Sequence, residues 1–213
     1  PALASGTNGT NMGDLRWNPS DVNDGIVTDT PVDDNPNDDE EEEEEEEIIP
    51  TGKKLYLSID GDNNNDGLTP ATAKATFANA VAAALDGDTI IVADGLYSEA
   101  YEIKFEKLGV VVMAAEGAKP VVQLTGQWTS IILMATTTFD GITFDGAGIA
   151  YYLLSSKGTD AGTFTFKNCE FTNWDSYWAI SNQYSDNTHV KSVVVDNCIF
   201  HNATGAAIHF NEN

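Results

Sequence analysis

Arginine is almost missing from this chain. Arg16 is the single example in 213 residues, and 10 basic side chains stand against 34 acidic ones for a net charge of −24. A surface so poor in cations repels phosphate, and no basic patch appears, so no nucleic-acid partner is expected. Long apolar runs are missing too. No segment approaches the roughly 18 consecutive apolar residues that cross a bilayer, so no membrane span is expected. The first residues also lack a basic stretch leading into an apolar one, and the expectation is a soluble chain, mature or cut from something longer. Cysteine is limited to Cys169 and Cys198, with no C-x-x-C and no histidine at ligand spacing.

The acidity is unevenly placed. Residues 1–50 hold 16 acids and one base, and Asp33-Asp34-Asn-Pro-Asn-Asp38-Asp39 runs into eight consecutive glutamates, Glu40 to Glu47. Like charges with no apolar surface to bury predict an acidic, disordered linker over 19–50, a solvated tether. Residues 51–213 carry 18 acids, nine bases and enough Val, Ile, Phe and Leu to fill a narrow interior, so one ordered domain is expected there.

Three stretches of that domain are copies of one coil: Phe139-Asp-Gly-Ile-Thr-Phe-Asp-Gly146, Phe166-Lys-Asn-Cys-Glu-Phe-Thr-Asn173 and Val195-Asp-Asn-Cys-Ile-Phe-His-Asn202. Their spacings of 27 and 29 residues are those of a solenoid. Phe139, Phe166 and Val195 stand three places before Ile142, Cys169 and Cys198, whereas inward side chains of one strand are two apart. A bend on Asp140-Gly141, Lys167-Asn168 and Asp196-Asn197 restores the parity, and it suits Gly or Asn near the left-handed conformation. Gly141, Asn168 and Asn197 should therefore stack in one column, with the two Asn amides hydrogen-bonded along it. Ile142/Cys169/Cys198 and Phe144/Phe171/Phe200 form inward columns, and Thr143/Glu170/Ile199 point to solvent. Stacked strands hold side chains parallel and about 4.8 Å apart, while a disulfide wants converging Cβ atoms near 3.8 Å, so free thiols are expected.

Upstream, Leu55-Tyr-Leu-Ser-Ile59 reads as a strand, followed by a long Asp/Asn-rich turn. Phe77, Ala80, Val81, Ala84 and Leu85 then stand at helical spacing, with Thr76 as N-cap and Asp86-Gly87-Asp88 as the stop. A short helix here would cap the open end of the solenoid.

Tyr56-Leu-Ser-Ile-Asp-Gly-Asp, Asn65-Asp-Gly-Leu-Thr-Pro-Ala-Thr-Ala, Thr76-Phe-Ala-Asn-Ala-Val, Gly87-Asp-Thr-Ile-Ile-Val-Ala-Asp-Gly-Leu-Tyr97-Ser-Glu and the Asn-Cys-x-Phe repeats resemble the right-handed parallel β-helix proteins of the pectate lyase superfamily. The resemblance covers most of 54–213. It extends to surface-exposed or secreted pectate-lyase-like proteins of Bacteroidetes-type bacteria, which implies an extracellular or bacterial cell-surface location. Ala4-Ser-Gly-Thr-Asn-Gly-Thr-Asn-Met-Gly-Asp-Leu-Arg-Trp17 resembles the closing segment of such a module, so residues 1–18 read either as the tail of a preceding module or as an ordinary extended tail. The fold class expected is all-β: a right-handed parallel β-helix with a short N-terminal capping helix behind the acidic linker.

The resemblance offers β-elimination on uronic-acid polymers as a reaction. That chemistry needs the substrate carboxylate neutralised by calcium or arginine and a base for the C5 proton. Arg16 lies outside the coils, so the family's arginine has no counterpart in them. Lys167 and His201 are the catalytic candidates. Lys167 has Asp140 and Asp196 above and below it, where a cross-strand ion pair is the ordinary reading, and His201 shares a slot with Asp145 and Thr172, where a surface histidine is. Asp62-x-Asn64-x-Asp66-Gly67 has the spacing that opens a calcium loop, with Asp60 beside it, but Ala73 stands where the bidentate Glu belongs; the alternative is a hydrogen-bonded Asx-rich turn. Trp174, Asp175, Tyr177, Trp178 and Tyr184 form the candidate carbohydrate site, since sugar faces lie on aromatic rings. The first three aromatics cannot share one inward face, so at least one should be exposed.

Ala206-Ala-Ile-His-Phe210 begins another coil, so further coils or a partner are expected beyond it. Three functions follow as expectations: a surface module that binds polysaccharide and in complete form processes it, a polysaccharide lyase, or a structural or adhesive stalk.

Overall fold

A computed structural model of the chain describes residues 52–158, 162–182 and 189–210. The expectations for 1–18, the linker over 19–50 and Tyr184 fall outside those residues. The described strands form three sheets. The first orders β1 (Lys54–Leu57), β2 (Thr89–Val92), β5 (Val110–Ala114), β8 (Thr137–Asp140), β11 (Gly162–Lys167) and β14 (Val190–Asp196). In the second stand β3 (Leu96–Glu99), β6 (Val121–Leu124), β9 (Thr143–Asp145), β12 (Glu170–Thr172) and β15 (Ile199–His201); in the third, β4 (Ile103–Phe105), β7 (Ile131–Leu133), β10 (Tyr152–Ser156), β13 (Trp178–Asn182) and β16 (Ala206–His209). The chain visits the three sheets in turn and every strand pair is parallel, which makes the domain a parallel β-solenoid.

Register puts like over like. Phe144, Phe171 and Phe200 pair along the second sheet with rings 5.3 and 4.5 Å apart, and Phe139 lies flat on Phe166 at 5.6 Å and 3° in the first. The bend between those sheets sits on Gly141, Asn168 and Asn197, at φ 73°, 53° and 50°. Asn197 Nδ2 donates to Asn168 Oδ1 at 2.7 Å, and Asn168 Nδ2 donates to Asp140 Oδ1 at 2.8 Å, so the amide column continues into a carboxylate. That last bond bears on Lys167. It stands opposite Asp140 and Asp196 as expected, yet no ion pair to either forms within 4 Å among the described residues, and Asp140 accepts from Asn168 instead.

Both cysteines are free. Burial pushes the Cys169 thiol up to about 12, so it stays protonated and acts as a small apolar side chain that donates to the Lys167 carbonyl.

At the N-terminal end α1 (Phe77–Ala83) covers the solenoid with Phe77, Ala80 and Val81 buried, and Thr76 Oγ1 accepts from the Asn79 amide as its N-cap. Glu99, buried at the end of β3, accepts from the Ala78 amide at 3.1 Å and ties the helix to the second sheet. Leu85 does not join the apolar face. The helix stops at Ala83, and Asp88 Oδ2 accepts the Leu85 amide in the following turn, leaving that side chain 53% exposed.

Candidate functional site

Five loops lead from the second sheet into the third, and stacking lays them side by side: 100–102, 125–130, 146–151, 173–177 and 202–205. Hydrogen bonds stitch neighbours together. Thr129 Oγ1 donates to the Ala100 carbonyl at 2.9 Å, the Tyr151 amide to the Gln127 carbonyl at 2.9 Å, the Asp175 amide to the Ala150 carbonyl at 2.8 Å, and the Ser176 amide to Thr204 Oγ1 at 2.8 Å. The stitching brings into contact aromatic residues that lie far apart in sequence.

The result is a surface strip running across consecutive coils. Trp128 stands edge-on to Tyr151 at 4.8 Å and beside Tyr152 at 6.3 Å. Tyr177 lies flat on Tyr152 at 5.1 Å and 14°, and edge-on to Tyr151 at 5.2 Å. Trp178 touches both Tyr152 and Tyr177 and then stacks on His209 at 4.1 Å and 9°. Trp128 is 66% exposed and Tyr177 38%, while Tyr151, Tyr152 and Trp178 are half-buried. Polar groups edge the strip: Gln127 Nε2 donates to the Tyr151 hydroxyl, and Thr204 Oγ1 donates to Asp175 Oδ1 at 2.7 Å. Burial and the neighbouring Tyr177 push the Tyr152 hydroxyl up, so it is a neutral donor.

Of the residues nominated for carbohydrate, Tyr177, Trp178 and Asp175 are in or beside the strip. Trp174 is not. It is only 4% exposed and packs edge-on to Phe200 at 6.5 Å, with an indole Nε1 that finds no partner among the described residues. The cause lies one coil below. Gly146 has no side chain where a Cβ would meet the Asn173 carbonyl oxygen at 2.6 Å and Trp174 Cα at 2.9 Å, so the backbone closes in and the ring enters the core. Gln127, Trp128, Tyr151 and Tyr152 were not read from the sequence as site residues. Their signal was available only by extending the coil alignment upstream, where the Asn/Gly bend motif fades.

Lys167 and His201 lie on different sheets and form no joint site. His201, the last residue of β15, pairs in register with Thr172, and its Nε2 lies 2.7 Å from Glu170 Oε1. Below Thr172 the same column continues through Asp145, Gln123 and Ser98, with Gln123 Nε2 donating to Asp145 Oδ2 at 2.9 Å.

The acidic turn has its own account. Asp62 Oδ1 accepts from the Asn64 amide and side chain, and Asp66 Oδ1 from the Leu68 amide and Thr72 Oγ1, while Asp60 lends its amide to Ser58. The Leu68 amide and Thr72 hydroxyl hold the Asp66 carboxyl below its ordinary range. Asp60, Asp62, Asn64 and Asp66 are thus arranged as an Asx-braced turn, and no cluster of three metal-binding side chains exists among the described residues.

The domain's class is therefore the parallel β-solenoids, and comparison with solved structures adds a remote likeness. No protein-family model and no curated protein matches the sequence. Among solved structures it is similar to a rhamnogalacturonan lyase at 13% identity and a TM-score of 0.40, over 73% of this chain and 62% of that one. This chain thus spans less than two thirds of that structure. A likeness so remote identifies neither reaction nor substrate.

Proposed function

We propose that the chain is an extracellular or cell-surface module that binds polysaccharide along the strip of Trp128, Tyr151, Tyr152, Tyr177 and Trp178. The observation that carries this reading is the contiguity of exposed and half-buried aromatic rings across three successive coils. Sugar rings present apolar faces to aromatic rings and hydroxyls to polar neighbours, and both partners are provided here. From Trp128 to His209 is three rungs, about 14 Å at roughly 4.8 Å each. That length suits a short oligosaccharide better than a single sugar. The resemblance of 54–213 to surface and secreted pectate-lyase-like proteins supports the location.

Affinity electrophoresis of the full chain through polysaccharide gels tests the proposal. Retardation should appear in at least one gel and fall about tenfold or more in Trp128→Ala, a change at an exposed site that leaves the core intact. Unretarded migration through every polysaccharide would leave the solenoid as a stalk. Release of unsaturated uronate, seen as ultraviolet absorbance, would make it a lyase.

A further inference from the structure

Resting on that binding reading, we infer that the strip selects neutral polysaccharide and discriminates against uronic-acid polymers. None of the five loops that build it carries a lysine or an arginine. Lys104, on the outer column of the third sheet, is held by Glu102 at 3.3 Å, and Lys167 and Lys191 belong to the first sheet. Lys157 follows the far end of β10, five residues beyond Tyr152. The stretches 159–161 and 183–188 contain neither lysine nor arginine. Among the described residues the charged side chains of the five loops are Asp175, whose Oδ1 accepts from Thr204, and Glu102, one coil below Trp128.

Charge of the wrong sign extends well past the rim. Residues 51–213 alone carry 18 acids against nine bases, and none of those bases is an arginine. A uronate lying on these rings would place a carboxylate in half-buried surroundings beside Asp175, with no guanidinium or ammonium to accept it, where like-charge repulsion is poorly screened. Neutral hydroxyls meet no such barrier. Gln127, Ser176, Thr204 and the tyrosine hydroxyls are donors and acceptors of the kind a neutral hexose or pentose polymer pairs with. His209 closes the end of the strip, its ring flat on Trp178 and its Nδ1 buried without a partner.

The test compares polymers that differ in charge. The full chain is run at pH 8 in about 10 mM salt through gels of hydroxyethyl cellulose, xylan and galactomannan, and through gels of carboxymethyl cellulose, polygalacturonate and alginate. Neutral polymers should retard it with a Kd at least tenfold below that for any acidic one, and Trp128→Ala should abolish the retardation. Raising salt to about 1 M shrinks the Debye length from roughly 30 to 3 Å and should narrow the gap. Acidic polymers binding as tightly as neutral ones, with Trp128→Ala still abolishing it, would overturn the selectivity and leave the strip standing. A gap that ignores salt would overturn the charge account. No retardation in any gel would remove the binding reading, and this inference with it.

Discussion

The first and last described coils of the solenoid use the same columns and bury them differently. At the N-terminal end Phe77 of α1 rests against Phe105 at 6.2 Å, and every inward ring beneath it is excluded from water. In the last described coil the same slots are wetter. Phe144 and Phe171 are fully buried but Phe200 is only half-buried; Ile142 and Cys169 are buried but Cys198 is not; Phe139 and Phe166 are buried while Val195 is 37% exposed. A slot in a solenoid therefore sets where a side chain points, and the neighbouring layer decides how much that direction stabilises.

Truncating Phe144 should give the largest effect in the domain. Phe144→Ala opens a cavity between coils and should cost about 3–5 kcal/mol, read as a shift of the denaturation midpoint. Phe200→Ala removes an identical side chain from the identical slot and should cost less than half as much. Equal costs would mean that the last coil is covered as completely as the middle ones, and the comparison would fail.

The columns were legible from sequence because stacking in register forces like residues over like, and three copies of the bend made the pattern unmistakable. The surface was not. Lys167 lies where expected, but spacing does not reveal that it pairs with neither carboxylate while Asn168 donates to Asp140. Trp174 reads as a loop aromatic and becomes core through the absence of a side chain at Gly146, a coil away. Trp128 and Tyr151 join Tyr177 only because loops of unequal length are stitched across coils, and a slot count stops at the end of each strand. Leu85 fits the helical spacing, and the turn made by Asp88 removes it from the helix.

The amide column sharpens the comparison on a smaller scale. Asn168 sits at φ 53° with bonds to both Asp140 and Asn197, whereas Asn197 at φ 50° donates only to Asn168 along the column. Asn168→Ala should cost about 1–2 kcal/mol from left-handed strain, plus about 1 kcal/mol for the lost bonds. Asn197→Ala keeps the strain and loses one bond, so it should cost less. Asn168→Gly relieves the strain and should fall between wild type and Asn168→Ala in chemical denaturation. A glycine variant as unstable as the alanine one would assign the whole cost to the hydrogen bonds.

The smallest effect belongs to the covered end and depends on pH. Burial pushes the Glu99 carboxyl up against the opposing pull of the Ala78 and Phe77 amides, so the folded state holds that proton more firmly than the unfolded chain does. The stability this group contributes is fully present below the ordinary glutamate range and is lost as pH rises through the raised folded value. Asp66 has the opposite sign: its lowered value gives a contribution present above the ordinary aspartate range and lost as pH falls through the depressed one. Melting temperatures of wild type, Glu99→Gln and Asp66→Asn across the acidic range separate the two. The stability of wild type relative to Glu99→Gln should fall as pH rises toward neutral, and that of wild type relative to Asp66→Asn should rise. Since Asp66 is solvent-exposed, its slope should be the shallower. A stability of wild type relative to Glu99→Gln that rises with pH would mean the helix amides outweigh burial, and the capping helix would then be held by a carboxylate's charge instead of in spite of it.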